Sequence, residues 1–276
     1  TEVLTRTRIL KMSNLGLAIH GAAGRMGQRL VALASVDEQL NLVAAFESTE
    51  HPRAGEDAGA VAGIGAIDVA LSPTWNSDID VVVDFSVPAG AESITQQCLA
   101  NGTPLVVATT GLNSEQQDLI RLASEQIPIV WAPSMSTAVN LVMKLAQTTA
   151  EVLKDVPGGA DVEILERHHR FKEDAPSGTA LRFGELIGEA MGISAAVHGR
   201  QGQVGAREHN EIAYHAIRTG DNPGEHTIVF GMLGETIELT VRASNRDSYA
   251  LGALTAAKFV AAQSAGLYSM NDVLGL

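Results

Sequence analysis

Hydrophobic and polar positions follow two regimes along the chain, and the change falls near residue 137. Leu15 to His20 is a short apolar run. Gly21, Gly24 and Gly27 follow at three-residue steps, and Leu30, Val31 and Leu33 then begin a face with helical spacing, so LGLAIHGAAGRMGQRLVALASV predicts strand, tight turn and helix. LNLVAAFES predicts a second strand. IDVVVDFSVPAG, TPLVVATTGLNSEQQDLI and IPIVWAPSMSTAVNLVMKLA repeat the plan with continuous apolar strands of the parallel-sheet type, and Asn113 or Ser114 caps one of the helices. This alternation predicts an α/β architecture with a Rossmann-type doubly wound parallel sheet.

The second regime begins with a helix over Thr137 to Leu153. KDVPGGA leads from it to the strand DVEILERHH, and a helix near Thr179 to Met191 follows. Three strand-like runs come next, HNEIAYHAIRTG, EHTIVFGML and ETIELTVRAS, joined by Gly-Asp-Asn-Pro-Gly and by Leu-Gly, which predicts antiparallel neighbours in a mixed or antiparallel sheet. The alanine-rich YALGALTAAKFVAAQSAG predicts a closing helix that returns to the first domain.

Composition narrows the chemistry. With 19 Lys and Arg against 32 Asp and Glu the net charge is −13, so a broad phosphate-binding surface is absent and any anion must be held locally. The single cysteine, Cys98, excludes an internal disulfide, and no Cys/His spacing suggests a metal site, which together point to a cytoplasmic setting. No apolar run reaches the roughly 18 residues of a membrane span. Residues 1–14 read as an extension ahead of the fold.

The glycine turn has a specific use. Glycines let backbone approach a pyrophosphate, and the first N–H groups of the following helix satisfy phosphate oxygens at the positive end of its dipole. About 20 positions further on, an acid should accept from the adenine ribose hydroxyls, and Glu47 stands at the end of the second strand. Ser48 follows it in place of a basic residue, so NADH is expected at least as much as NADPH, although Arg53 or Arg25 could reach a 2′-phosphate. Beyond the strand ends, Phe85 and Ser86, Ala108 to Thr110 and Ala132 to Met135 are expected around the nicotinamide half.

ERHHRFKEDAPSGT concentrates Arg167, His168, His169, Arg170 and Lys172 within six positions of an acidic chain. Such a cluster is either a solvated turn or a site for something negative. Ser177 or its neighbours can cap a helix whose first N–H groups, at Gly178 and Thr179, form an anion receptor with the Thr179 hydroxyl as a further donor. On a strand His168 and His169 point to opposite faces, so they do different work. Lys172 near a histidine is a chemically reasonable acid pairing.

Taken in order, GAAGRMG, VVVDFSVPAG, VVATTGLN, DVEILERHHRFKEDAPSGTAL, GEHTIVF and NRDSYALGAL make the chain resemble the dihydrodipicolinate reductase family over about residues 15 to 276. The resemblance implies a homotetramer of two-domain subunits. It also implies NADH- or NADPH-dependent reduction of the cyclic dicarboxylate 4-hydroxy-tetrahydrodipicolinate in diaminopimelate and lysine biosynthesis. Residues 1–136 would form the dinucleotide-binding domain and 137–246 the substrate-binding and oligomerisation domain, with 247–276 returning to the first. By position, His168 would be the acid/base group, Lys172 a proton donor, His169 a substrate contact, and Gly178 with Thr179 a carboxylate clamp. Gly21, Ala22, Ala23, Gly24, Arg25, Met26, Glu47, Ala108, Thr109, Thr110, Ala132, Pro133, Ser134 and Met135 would contact the cofactor; no metal is implied. Ala108 replaces a glycine common in the family, and Ser48 and Val87 stand where members that accept NADPH often carry arginine, so NADH is expected to be preferred.

Two other functions fit parts of the pattern. Another two-domain NAD(P)-dependent dehydrogenase would lack the paired histidines before Pro-Ser-Gly-Thr. A non-enzymatic NADH-sensing regulator would add a nucleic-acid or partner-binding module, and no such segment is evident.

Overall fold

The structure, a computed structural model, describes residues 14–75 and 78–276, so the expected extension lies outside the described residues except for Asn14. In chain order the elements are β1 (Leu15–His20), α1 (Arg25–Ala34), β2 (Leu40–Phe46), α2 (Ala58–Ala62), β3 (Val81–Asp84), α3 (Pro88–Asn101), β4 (Leu105–Val107), α4 (Ser114–Ser124) and β5 (Pro128–Trp131). They continue with α5 (Thr137–Leu153), β6 (Asp161–His168), α6 (Gly178–Met191), β7 (Ala195–His198), β8 (Glu211–Arg218), β9 (Glu225–Met232), β10 (Glu235–Arg242), α7 (Asp247–Val260), β11 (Gly266–Tyr268) and α8 (Met270–Leu274). Two compact units result, one running to Ile129 and including Ala257–Leu267, the other comprising Val130–Ala256 and Tyr268–Leu276. The division falls inside β5, ahead of the expected break between residues 136 and 137. Of the segment 247–276, only Ala257–Leu267 groups with the first unit.

The first sheet has the order β11-β5-β4-β3-β1-β2, and its β1–β2, β1–β3 and β3–β4 ladders are parallel. Leu17, Ile19, Val81 to Val83 and Leu105 to Val107 are fully buried, because helices cover both faces of such a sheet and each strand must be apolar all round. The order reverses beside β1, which pairs with β2 on one side and β3 on the other. The carboxyl ends of β1 and β3 therefore flank the switch point where open sheets of this kind bind ligands. Asn113 caps α4 through a reciprocal box with Gln116, as the sequence predicts.

The second sheet has the order β10-β9-β6-β8-β7. β6 is central, parallel to β8 and antiparallel to β9, so the runs before and after Gly-Asp-Asn-Pro-Gly head in opposite directions but are not neighbours. β9 and β10 pair antiparallel as expected, and β7 is an edge strand outside the sequence expectation. β6 alternates strictly. Val162 and Ile164 on its inner face pack with Val139, Met143 and Ala146 of α5 and with Phe183 and Ile187 of α6. Phe183 is fully buried, so Phe183→Ala would cost about 3–5 kcal/mol.

Candidate active site

In the first unit the turn between β1 and α1 is shaped by sterics. Gly21 has φ +75°, and a Cβ there would lie 2.6 Å from the Phe85 carbonyl oxygen; a Cβ on Gly27 would lie 2.2 Å from the Gly21 carbonyl oxygen. α1 starts at Gly24 with no side-chain cap, so its first-turn N–H groups remain for an anion. Gly21 and Ala22 donate N–H to the Phe46 carbonyl, and Ala23 N–H donates to Glu47 Oε2 at 3.1 Å, which brings the turn and the acid together. The other Glu47 oxygen accepts from Ser48 N–H at 3.0 Å. A cavity of ≈ 250 Å³ lies beside them, with His20, Phe46, Glu47, Ser86, Gly90 and Ile94 in its wall. Narrow backbone clearance, uncapped helix donors and a carboxylate at the rim fit the pyrophosphate and ribose of a dinucleotide.

Sequence reading missed the pairing of His20, in the wall of this cavity, with Asp84 behind it. Asp84, fully buried, pairs in register with His20 across the switch point and accepts from His20 Nδ1 at 2.7 Å. Its second oxygen accepts from Thr109 Oγ1 at 2.7 Å, and that hydroxyl accepts Ser86 N–H at 3.0 Å. Of the residues expected near the nicotinamide, Ala108 and Thr109 are buried and Thr110 is exposed. Ala132 to Met135 belong to the second unit, at the head of α5, where Asn140 Nδ2 donates to the Ser134 carbonyl at 2.9 Å.

In the second unit Glu166 and His168 continue the row begun by Val162 and Ile164, so a carboxylate and an imidazole end the apolar face of β6. His168 Nδ1 lies 2.6 Å from Glu166 Oε2. The Arg218 guanidinium grips the same carboxylate with both arms at 2.7 Å, and Ser177 N–H donates to Oε1 at 3.1 Å. Ser177 caps α6 through Ala180 N–H and meets His226 Nε2 at 3.1 Å. Gly178 and Thr179 follow as the first two helical residues, whose N–H groups have no partner within the helix. A Cβ on Gly178 would meet nothing within 4 Å, so the space before this helix is open.

The charges are tuned by this packing. Burial pushes Glu166 up, but the Arg218 fork and His168 outweigh it and hold the carboxyl below its usual range. Burial dominates for His168 and lowers it, against the pull of Glu166 and with help from Lys172 and Arg218. His226 is pushed down to about 4 by burial and by His168, so it is neutral at pH 7. Its ring meets His168 edge-on with centroids 5.2 Å apart.

The five clustered cations do not form one pocket. Arg167 points to the opposite face of β6 and pairs with Glu225 at 3.4 Å, because alternate strand residues face apart. Lys172 pairs with Asp174 at 2.8 Å, close enough to His168 to depress it. His169 lies past the end of β6 with a buried Nδ1 that makes no hydrogen bond. Arg218 comes from β8, 52 positions after Glu166. The available signal for Glu166 was its place two residues before His168 on an alternating strand; nothing local marked Arg218 or His226.

Two family models match the chain, "Dihydrodipicolinate reductase, N-terminus" over residues 15–135 and "Dihydrodipicolinate reductase, C-terminus" over residues 138–274. A 4-hydroxy-tetrahydrodipicolinate reductase of Rhodopirellula baltica is 57% identical over 95% of this chain and 96% of its own. One of Pseudoalteromonas atlantica is 44% identical over 94% and 98%. Among solved structures, a dipicolinate-bound dihydrodipicolinate reductase from Paenisporosarcina sp. superposes with TM-score 0.74 at 26% identity over 93% of this chain and 98% of its own. An amine dehydrogenase from Mycobacterium smegmatis superposes with TM-score 0.62 at 11% identity over 94% and 96%, a likeness of fold alone.

Proposed function

The chain belongs to the dihydrodipicolinate reductase family, and from that premise we propose that it reduces 4-hydroxy-tetrahydrodipicolinate to tetrahydrodipicolinate with a nicotinamide dinucleotide, NADH in preference to NADPH. When bound, the reduced nicotinamide would supply the hydride: once the C4 hydroxyl and a C3 proton have left as water, the ring takes hydride at C4 and a proton at C3. Gly21 to Met26 hold the pyrophosphate by backbone, and Glu47 takes the ribose hydroxyls in exchange for the Ala23 and Ser48 N–H bonds it now accepts. Ser48 and Val87 place no cation for a 2′-phosphate, which supports the NADH preference. Thr109 stands with Ala108 and Thr110 at the end of β4 as a cofactor contact, and Ala132, Pro133, Ser134 and Met135 are assigned the same role.

On the second unit, Gly178 and Thr179 receive a substrate carboxylate at the head of α6, and His169 offers its unpaired Nδ1. His168 moves the proton, with Lys172 as donor. The observation that carries the reading is the bond from Ser177 N–H to Glu166, which ties the His168 ring to the head of the anion-receiving helix. Leu165, Ile217 and Val229 lie on the sheet face turned away from α5 and α6, which supports homotetramer formation through that face. Among the described residues no helix is long and apolar enough to cross a membrane, and a cytoplasmic location goes with this pathway.

The test is a steady-state assay with enzymatically generated substrate and each nucleotide in turn. Oxidation of NADH at several times the kcat/KM of NADPH is expected. Thermal stabilisation by pyridine-2,6-dicarboxylate is expected in parallel; no turnover with either nucleotide would remove the reading.

A further inference from the structure

The Glu166 carboxylate is fully buried, and its acceptor positions are used by groups from three segments: His168 on its own strand, Ser177 at the start of α6 and both arms of Arg218 from β8; His226 of β9 closes the far side against Ser177 and His168. Arg218 also donates to the Asp174 and Ile217 carbonyls, at 2.6 and 2.9 Å, so its fork is fixed by backbone on both sides. An ionised carboxylate only accepts. His168 Nδ1 must therefore carry the proton in that bond, which leaves Nε2 as the reactive nitrogen. Nε2 points toward Gly224, where a Cβ would come within 3.0 Å of it, so a side chain at 224 would cover the nitrogen.

We propose that Glu166 is a positioning residue that serves both halves of the substrate site through one group: Oε2 fixes the tautomer and direction of the His168 ring, Oε1 holds the N–H that aims the head of α6 at the substrate carboxylate, and Arg218 keeps the carboxylate ionised and in plane. The proposal rests on the reading of His168 as the acid/base group. It adds that catalysis and dicarboxylate binding are coupled, because moving the carboxylate disturbs both bonds. Arrangements of this kind, in which a buried acid sets the tautomer of a catalytic imidazole, account for large parts of turnover in other enzymes.

The charged and titratable groups that face His168 are Glu166 on β6, Arg218 from β8, His226 from β9, Lys172 from the following loop, and Tyr249 of α7, whose hydroxyl comes within 3.8 Å of the same Gly224 position. Only Glu166 favours the charged ring among them. Its neutral replacement should therefore lower the pH at which His168 titrates.

Glu166→Gln tests this. Expected are a fall in kcat of roughly 10- to 10³-fold, a raised KM for the dicarboxylate, a His168-dependent limb of the pH profile moved to lower pH, and an NADH dissociation constant unchanged within about twofold. Should that variant fail to fold, the wild-type protein decides the matter: nitrogen-15 NMR of labelled histidine, with His168→Gln for assignment, should show Nδ1 protonated and Nε2 bare. An Nε2-protonated tautomer, or a folded Glu166→Gln enzyme with wild-type kcat, KM and pH profile, overturns the proposal while leaving the function intact. Full turnover by His168→Gln overturns the proposal together with the acid/base role of His168 on which it rests, and leaves the reductase reading standing.

Discussion

The two units build their sites from different materials. In the first, the cradle between β1 and α1 is backbone: glycines at 21 and 27 clear space, and the first N–H groups of α1 have no side-chain cap. In the second, the site is a buried network of charged side chains, Glu166, Arg218 and His168, whose geometry depends on three separate segments meeting, β6, the head of α6 and β8. A backbone site should fail by collision, and a side-chain site by loss of a charge or a proton.

The largest effect belongs to the second unit. His168→Gln should lower kcat by about 10²–10⁴-fold, the usual contribution of general acid–base catalysis, with NADH affinity retained in a fluorescence titration. A loss of NADH affinity as large as the loss of turnover would erase the separation between the two regions. Next comes a pair of glycine substitutions. Gly27→Ala puts a methyl 2.2 Å from a carbonyl oxygen and should cost about 1–3 kcal/mol of stability or of NADH affinity, read by calorimetry. Gly178→Ala meets nothing within 4 Å and should melt within about 0.5 kcal/mol of wild type.

Acid should also distinguish the regions. His226 is buried neutral with its pKa near 4 against 6.5 unfolded, so the unfolded chain binds more protons between those values. The stabilisation is complete above pH 6.5, and roughly 3 kcal/mol is lost as pH falls to about 4. Glu166, held below its usual range, adds a further loss as pH falls from about its unfolded value of 4.5 through its lowered folded pKa. Denaturant melts at pH 7 and 4.5 should show this decline, and His226→Gln should flatten its upper part. A more modest effect is expected at Ser48→Arg, which should shift the ratio of kcat/KM for NADPH over NADH by about tenfold, or 1.4 kcal/mol, toward NADPH. An unchanged ratio would place the 2′-position of the ribose away from Ser48.

Legibility differed in the same way as construction. The bounds of β1 and α5, a cap at Asn113 or Ser114 and a helix start near Ser177 to Thr179 followed from periodicity and capping, which are local properties; the structure selects Asn113 and Ser177 as the caps. The glycine turn and Glu47 could be paired from spacing, and the structure joins them through Ala23 N–H. The pairing of His20 with Asp84 was invisible, because the two are neighbours across a ladder and 64 positions apart in the chain. β7 was missed because it is a four-residue edge strand with a polar end and little burial.

The amino-acid sequence by itself determined where most strands and helices form, that a glycine turn opens onto a helix, and that β6 runs into a histidine pair, since each depends on residues within a turn or two of one another. Tertiary structure alone decided that β6 is the central strand of its sheet, that Arg167 faces away from His168, and that Arg218 rather than the neighbouring cations holds Glu166. Ladder partners and buried ion pairs are chosen by what fits and neutralises across the folded core. The cost of closing the intervening chain grows only slowly with its length, so sequence distance gives little warning of which partner will win.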